Sequence, residues 1–350
     1  MRTTRLAMVG LGNVGRRLLE LIQLKRDLLR ARFDLELVVV GAADTSGAAI
    51  AADVLDVAEI LRLKRERQGI ATYRQLGQPG ASPLQMVLAS RADILVELSV
   101  TNLKHGEPGL STLRGALSRK IDVVTANKGP LVLAYQELAA LARANGVRLL
   151  HSAAVTGGLP TLNIGVRDLS ATVIEKFEGV VNGTTNYILS RMSQGQTYDE
   201  ALKHAQEIGM AEADPSLDVD GWDAANKLVI IANAVLHRPT KLKDVSVEGI
   251  RKVTQDDLRA AAERRETIKL IALAEKVGSD YNLSVRPTLL DRSHPLAKLG
   301  AGMMGVMYHT DINGTIFAAI EEDDPYPTAA AVLRDIVQVA SETQAEIDKP

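Results

Sequence analysis

The chain reads as an α/β protein in two parts, a parallel-sheet half followed by an α+β half. Three observations lead there. A short apolar strand runs directly into Gly10-Leu11-Gly12-Asn13-Val14-Gly15 and then into an amphipathic helix. Short buried strands and helices then alternate as far as about residue 155. Beyond that point the alternation stops, and helices gather between widely separated strands. Alternation of this kind implies a parallel sheet covered on both faces. Ligands of such sheets bind at the carboxyl ends of the strands, near the topological switch point.

Residues 6–9 form the first strand, 14–30 a helix and 35–40 a second strand. Residues 47–91 hold a charged helical run at 55–67 and a Gly/Pro-rich stretch at 77–83. We read them as an elaboration of the sheet's connections, with Lys64-Arg65-Glu66-Arg67 as a solvated helix face. The third strand is 94–98, followed by a helix at 109–119. A fourth strand at 122–125, a helix at 134–145 stopped by Gly146, and a fifth strand at 148–151 complete the half. In the second half, 177–181 and 283–289 are strands, and 187–193, 198–208 and 224–235 are helices. A last helix at 328–342 follows Pro325 and Pro327.

Composition narrows the function. The chain has 350 residues, 46% of them hydrophobic and 24% charged, enough for a sizeable core and two domains. A formal net charge of −2 argues against nucleic acid or an anionic membrane as a partner. Aromatic residues make up only 3%, too few for base-stacking platforms. With no cysteine there is no disulfide, thiolate metal site or thiol nucleophile. No apolar run approaches a membrane span, and no secretory leader is evident, so the expectation is a cytoplasmic protein.

The glycine turn has a mechanical reading. Gly10 permits the tight turn, Gly12 lets backbone approach a pyrophosphate, and Gly15 lets the helix pack close to the strand. The N–H groups at the helix start, around Asn13 and Val14, then face the phosphates. Asp44, after the second strand, is the acid for the ribose hydroxyls and favours NAD over NADP. Arg16 and Arg17 are the candidates for a further phosphate, which leaves the cofactor as NAD or NADP.

Three other segments stand out. Thr125-Ala126-Asn127-Lys128-Gly129-Pro130 brings a lysine to the end of a parallel strand, facing the cofactor crevice or opening an ordinary surface loop. Asn182-Gly183-Thr184-Thr185-Asn186-Tyr187 is a polar turn before a helix, which Thr184 or Thr185 caps or which receives a substrate carboxylate. The stretch from Glu212 to Lys227 is rich in acids. Asp223 and Lys227, four apart, share a helix face. They form either a surface ion pair or an acid holding a working lysine, with Glu212 and Asp218 nearby for a substrate ammonium. The six histidines have no metal-ligand spacing.

Taken in order, these blocks resemble the homoserine dehydrogenase family. So do Val96-Glu97-Leu98-Ser99-Val100-Thr101-Asn102, Gly157-Gly158-Leu159-Pro160, Val247-Glu248-Gly249-Ile250 and His294-Pro295-Leu296. The resemblance covers nearly the whole chain. It implies a Rossmann-type nucleotide-binding domain at 1–155, completed by a helix within 325–350, and a substrate and dimerisation domain at 156–324. It implies NAD(P)-dependent interconversion of L-homoserine and L-aspartate 4-semialdehyde, a step towards threonine, methionine and isoleucine, by a homodimer. Lys227 matches the proton donor, Asp223 the acid that positions it, and Lys128 the second active-site lysine. Glu212 matches the residue for the substrate amino group, with Asp218 in the same pocket and Asn182, Gly183 and Thr184 at its edge. Ser99 and Thr101 fall where strand-end residues meet the cofactor. Carbonyls of Val155, Gly157 and Leu159 match those that bind a sodium ion.

The chain departs from the family pattern in three places. Ser152 replaces an acid that helps bind the sodium ion. Glu321-Glu322-Asp323-Asp324 replaces a glycine-rich turn before the last helix. Met303-Met304-Gly305-Val306-Met307 replaces an Asn-Ala-Val-like segment. The sequence given ends soon after that helix, so feedback by threonine through an appended domain is not expected. Two other readings share the glycine turn: an aspartate dehydrogenase-like enzyme, and a dinucleotide-binding regulatory protein that has lost catalysis. The first does not need both lysine blocks; the second does not need Lys128, Glu212, Asp223 and Lys227 intact.

Overall fold

The computed structural model describes residues 1–341; the sequence-based reading of a helix to 342, and of the domain to 350, runs past the described residues. Two compact units emerge, Met1–Gly158 joined by the chain from Asp324, and Leu159–Asp323.

In the first unit, β1 (Arg2–Val9), α1 (Asn13–Leu24), α2 (Arg26–Phe33) and β2 (Leu35–Asp44) open the fold. β3 (Gly47–Ile50), α3 (Val57–Arg65), β4 (Gly77–Pro79) and α4 (Pro83–Ala89) follow. Then come β5 (Ile94–Glu97), α5 (Gly109–Ser118), β6 (Asp122–Thr125), α6 (Lys128–Asn145), β7 (Leu149–Leu150) and α7 (Ala153–Thr156). The sheet order is β4-β3-β2-β1-β5-β6-β7. The five strands from β2 to β7 in that order pair in parallel, while β3 and β4 form an antiparallel edge. The chain moves outward from β1 to β2 and returns to β5 on the other side of β1. The switch point therefore lies between the carboxyl ends of β1 and β5.

The strand period of two divides the core between the faces. Leu6 and Met8 pack with Leu18, Leu19, Val39 and Val96 in one cluster. Ala7 and Val9 pack with Leu95, Leu113, Val123 and Leu138 in the other. The closing helix, Tyr326–Ser341, adds Val332, Ile336 and Val339 to the first cluster.

Several sequence-based boundaries move. The helix expected at 14–30 is two helices, because Lys25 leaves helical geometry at φ −98° and ψ 5°. The helix expected at 134–145 starts at Lys128, capped by the Asn127 side chain, with a non-helical Ala134 (φ −143°) inside it. The Gly/Pro-rich stretch supplies β4, and Lys64 is not solvated: its ammonium binds Asp44 at 2.6 Å.

The second unit begins with α8 (Thr161–Asn163), β8 (Ile174–Val180), α9 (Gly183–Ser193), α10 (Tyr198–Glu207), α11 (Ser216–Val219) and α12 (Trp222–Ala234). It continues with β9 (Ser246–Val247), α13 (Gln255–Glu263), β10 (Glu266–Val277), β11 (Asp280–Asp291), β12 (Met304–Thr310) and β13 (Thr315–Ile320). The six-stranded sheet runs β13-β12-β8-β10-β11-β9. All its pairs are antiparallel except β9 with β11. Helices α9, α12 and α13 lie against β10. Sequence reading found parts of β8 and β11 and missed β9, β10, β12 and β13. β10 is buried continuously from Ile268 to Ala272, so it lacks the alternation that marks a half-exposed strand. No helix among the described residues is long and apolar enough to cross a membrane.

Candidate active site

The first unit carries a ready-made cradle for a dinucleotide. Gly10 has φ +90°, and a Cβ there would lie 2.4 Å from the backbone of Leu98. A Cβ on Gly15 would lie 2.2 Å from the Gly10 carbonyl oxygen. Gly12, by contrast, has no atom within 4 Å of where its Cβ would stand, so open space faces the turn. Gly12 is also the N-cap of α1, which has no side-chain cap and no acid in its first turn. Its first N–H groups, beside exposed Asn13 and half-buried Val14, are left for an anion. The residues present fit a pyrophosphate.

The two arginines on α1 are engaged elsewhere. Arg16 donates to the Asn13 side chain at 2.7 Å, and Arg17 donates to Glu20 at 2.8 Å while lying 4.7 Å over the Tyr326 ring. Tyr326 also donates to Glu20, tying the closing helix to α1. One of the four acids before that helix, Asp324, accepts the Tyr326 N–H at 2.6 Å and so helps start the helix.

Asp44 stands at the end of β2, but its oxygens are occupied. Oδ1 accepts the Ser46 N–H (2.9 Å) and hydroxyl (2.5 Å); Oδ2 accepts Lys64 Nζ (2.6 Å) and the Ile70 N–H (3.0 Å). Burial raises the carboxyl's pKa, and the bonds from Lys64 and Ser46 outweigh it, holding the group below the usual carboxylate range. This departs from the sequence-based reading of a carboxylate free to take ribose hydroxyls. The Lys64 charge also offsets the repulsion that would favour NAD.

At the ends of β5 and β6, a second network forms around Glu97, which is wholly buried. Oε1 accepts the Ser99 N–H (3.0 Å) and the Ser99 hydroxyl; Oε2 accepts the Thr125 hydroxyl (3.2 Å). The Asn127 amide donates to Ser99 Oγ at 3.2 Å and lies beside Glu97, whose pKa it helps lower. Asn127 Oδ1 in turn accepts the Gly129 N–H at 3.0 Å, fixing the first turn of α6 and with it Lys128. Thr101 is half-buried in the loop after Ser99. Sequence reading passed over Glu97 and Asn127 as working groups. The available signal was an acid ending an otherwise apolar strand, Ile94-Leu95-Val96-Glu97.

In the second unit, β8 leads into α9, and Asn182, not Thr184 or Thr185, is the cap: its Oδ1 accepts the Thr185 N–H at 2.8 Å. The Thr184 hydroxyl donates to the Met210 carbonyl at 3.0 Å, and Gly183 passes close to the Gly302 carbonyl. Asn182 Nδ2 donates to Asp218 (2.7 Å) and Asp223 (2.9 Å). Lys227 Nζ donates to Asp223 Oδ2 at 2.8 Å and to the Val181 carbonyl at 2.6 Å. Asn182, Asp223 and Lys227 are all buried, so the pair four residues apart is not a surface ion pair. Glu212 is exposed, on the turn between α10 and α11. The second unit thus gathers Asn182, Asp218, Asp223 and Lys227, and the first gathers the glycine turn, Ser99 and the start of α6.

The residues named for a cation do not make an anionic site. Ser152 donates through its N–H (2.9 Å) and hydroxyl (2.6 Å) to Asp335, and its oxygen accepts from Arg334 at 3.0 Å. Among the described residues no group of three acids, histidines or cysteines could hold a metal ion.

Comparison with known proteins fits this geometry. Residues 160–337 match the family model described as homoserine dehydrogenase, and residues 10–152 match the one described as homoserine dehydrogenase, NAD binding domain. The chain belongs to the homoserine dehydrogenase family. It is 35% identical over 341 residues to the NAD(+)-dependent homoserine dehydrogenase of Pseudomonas canavaninivorans, with 97% of each chain covered. Its fold matches the crystal structure of a putative homoserine dehydrogenase from Archaeoglobus fulgidus with a TM-score of 0.86 at 39% identity, covering 96% of this chain and 99% of that one. A hyperthermophilic archaeal homoserine dehydrogenase in complex with NADPH matches with a TM-score of 0.83 at 28% identity, covering 97% and 98%. The family thus includes a relative named for NAD and another bound to NADPH.

Proposed function

We propose that the chain interconverts L-homoserine and L-aspartate 4-semialdehyde with NAD or NADP, and that Lys227 carries the proton. The nicotinamide, when bound, supplies or accepts the hydride. The observation that carries the reading is the fixing of Lys227: Asp223 and the Val181 carbonyl take two of its three N–H bonds in a buried setting. One N–H is left for the substrate oxygen, to which Lys227 gives a proton as the aldehyde is reduced and from which it takes one in reverse.

Asp223 is the positioning acid, and Asn182 holds Asp218 and Asp223 in one arrangement. Asp218, with Glu212, receives the substrate ammonium; Gly183 and Thr184 form the edge of that pocket. Gly10, Gly12, Asn13, Val14 and Gly15 hold the pyrophosphate, and Ser99, Thr101 and Lys128 line the nicotinamide side. With Asp44 engaged by Lys64, the chain accepts either dinucleotide. The same reading makes the protein a cytosolic homodimer that works in amino-acid biosynthesis with its second unit as the substrate and dimerisation domain, a proposal supported by the family resemblance.

The test is homoserine-dependent reduction of NAD and NADP, run beside Lys227→Ala and Lys128→Ala. Turnover in the parent, and a loss of kcat of about 10²-fold or more in Lys227→Ala, is the expected result. Undiminished turnover in Lys227→Ala removes the assignment. Turnover of aspartate without homoserine transfers the chain to an aspartate dehydrogenase-like activity.

A further inference from the structure

We propose that Glu97 is a positioning residue for hydride transfer, one that never touches the cofactor but sets Ser99 on one side of the nicotinamide pocket and Lys128 on the other. The inference rests on the reading above that Ser99 and Lys128 line that pocket.

Glu97 ends the strand beside the switch point, and three loops meet there. On the β1 side, Gly10 presses so closely on Leu98 and Ser99 that a Cβ would stand 2.6 Å from the Ser99 nitrogen. On its own strand, Glu97 Oε1 takes both donors of Ser99. On the β6 side, Oε2 takes Thr125, and Asn127 joins through its amide, the same residue that caps α6 ahead of Lys128. A Cβ on Gly109 would come within 3.3 Å of Glu97 Oε2 and 2.9 Å of Asn127 Nδ2, so α5 also closes against this group. Such a carboxyl is costly to bury, and burial raises its pKa against the opposing bonds from Ser99, Asn127 and Thr125. A valine or leucine would fill an apolar strand end without that cost. What the carboxyl adds is three directed acceptances, two from Ser99 and one from Thr125, with the Asn127 amide beside them.

The asymmetry of those acceptances gives a sharp test. In Glu97→Gln the amide oxygen must face the Ser99 N–H, because a backbone donor cannot turn away. The amide NH₂ then meets the Asn127 NH₂, donor against donor, and the Lys128 side loses its register. Glu97→Gln is therefore expected to keep dinucleotide Kd within about threefold while kcat falls at least about fivefold, with KM for homoserine within about twofold. Glu97→Ala is expected to lose on both sides, at least about tenfold in Kd and in kcat. The double variant Glu97→Ala/Ser99→Ala is expected to bind dinucleotide no more weakly than Glu97→Ala alone, since the first change acts through the second residue.

Kd is measured by titration of the intact protein with NAD and with NADP, and Tm is recorded for each variant. A purely structural role would lower Tm and leave Kd and kcat of the folded fraction unchanged, which overturns the proposal. Losses from Glu97→Ala and Ser99→Ala that multiply in the double variant overturn it as well. If Ser99→Ala itself leaves dinucleotide affinity unchanged, the reading of Ser99 fails and the inference falls with it. If Ser99→Ala weakens binding and neither Glu97 variant alters Kd or kcat, only the inference falls. Should Glu97→Ala not fold, the separation of Kd from kcat in Glu97→Gln decides alone.

Discussion

Asp223 and Lys227 stand one turn apart on α12, and a single oxygen of Asp223 meets both the Lys227 ammonium (2.8 Å) and the amide of Asn182 (2.9 Å). The lysine is therefore coupled to the cap of the neighbouring helix as well as to its own. Replacing Asp223 with Ala leaves a buried ammonium short of its counter-ion, which costs about 3–5 kcal/mol. Urea unfolding of Asp223→Ala is expected to register that loss, and steady-state assays a fall in kcat. Unchanged kcat would mean that Lys227 needs no acid to hold it.

Gly12 and Gly15 separate binding from folding. A Cβ on Gly12 meets nothing in the protein, so Gly12→Ala is expected to keep the Tm of the cofactor-free chain. The same methyl group enters the space proposed for the pyrophosphate, and dinucleotide Kd is expected to rise at least about tenfold, or about 1.4 kcal/mol. Gly15→Ala is expected to lower Tm as well, because its Cβ would strike the Gly10 carbonyl. Wild-type affinity in Gly12→Ala would contradict the cradle.

Asp44 organises the loop that follows β2. Asp44→Ala strips acceptors from Ser46, Lys64 and Ile70 together and is expected to destabilise the chain by about 2–3 kcal/mol. Its carboxyl is held below the usual range, so its stabilisation is complete above the unfolded carboxyl's pKa and declines as pH falls through the lower folded value. Chemical denaturation of parent and variant at neutral pH and near pH 3 measures both effects.

Lys269 adds a dependence of the same sign, in the alkaline range. It is buried on β10, donates to Asn186 Oδ1 at 2.6 Å and the Leu299 carbonyl at 3.1 Å, and burial lowers its pKa from 10.5 to about 8. Between those values the unfolded chain holds the proton and the folded chain does not, so raising pH favours the folded state. Relative to Lys269→Met, the parent is expected to gain about 3 kcal/mol of stability from pH 8 to 10.5. A flat difference between the two proteins would remove the shifted lysine.

Sequence reached furthest where local chemistry leaves few choices. The glycine turn was legible because each glycine answers a specific close approach or positive φ, and the parallel strands because both their faces are apolar. Asp223 and Lys227 were legible as neighbours because helix geometry fixes residues four apart. Whether they were buried was not legible, since that depends on Val181 and Asn182, more than forty positions away in the chain. The engagement of Asp44 was not legible for the same reason: its partner Lys64 lies twenty residues on, in a run that looks like an exposed helix face. Glu97 showed only as an acid ending an apolar strand, because its partners Thr125 and Asn127 lie about thirty positions on, at the end of β6 and in the loop after it.

The closing helix has one more consequence, for the order in which the protein is made. Val332, Ile336 and Val339, with their neighbours on the closing helix, complete a hydrophobic cluster whose remaining members lie in the first half of the chain, on the far side in sequence of the whole second unit. A nascent polypeptide emerging from the ribosome can finish its contiguous second unit while the first still shows a bare apolar stripe to chaperones. A chain stalled before Tyr326 is therefore expected to bind hydrophobic dyes at that stripe, and one released with the closing helix is not.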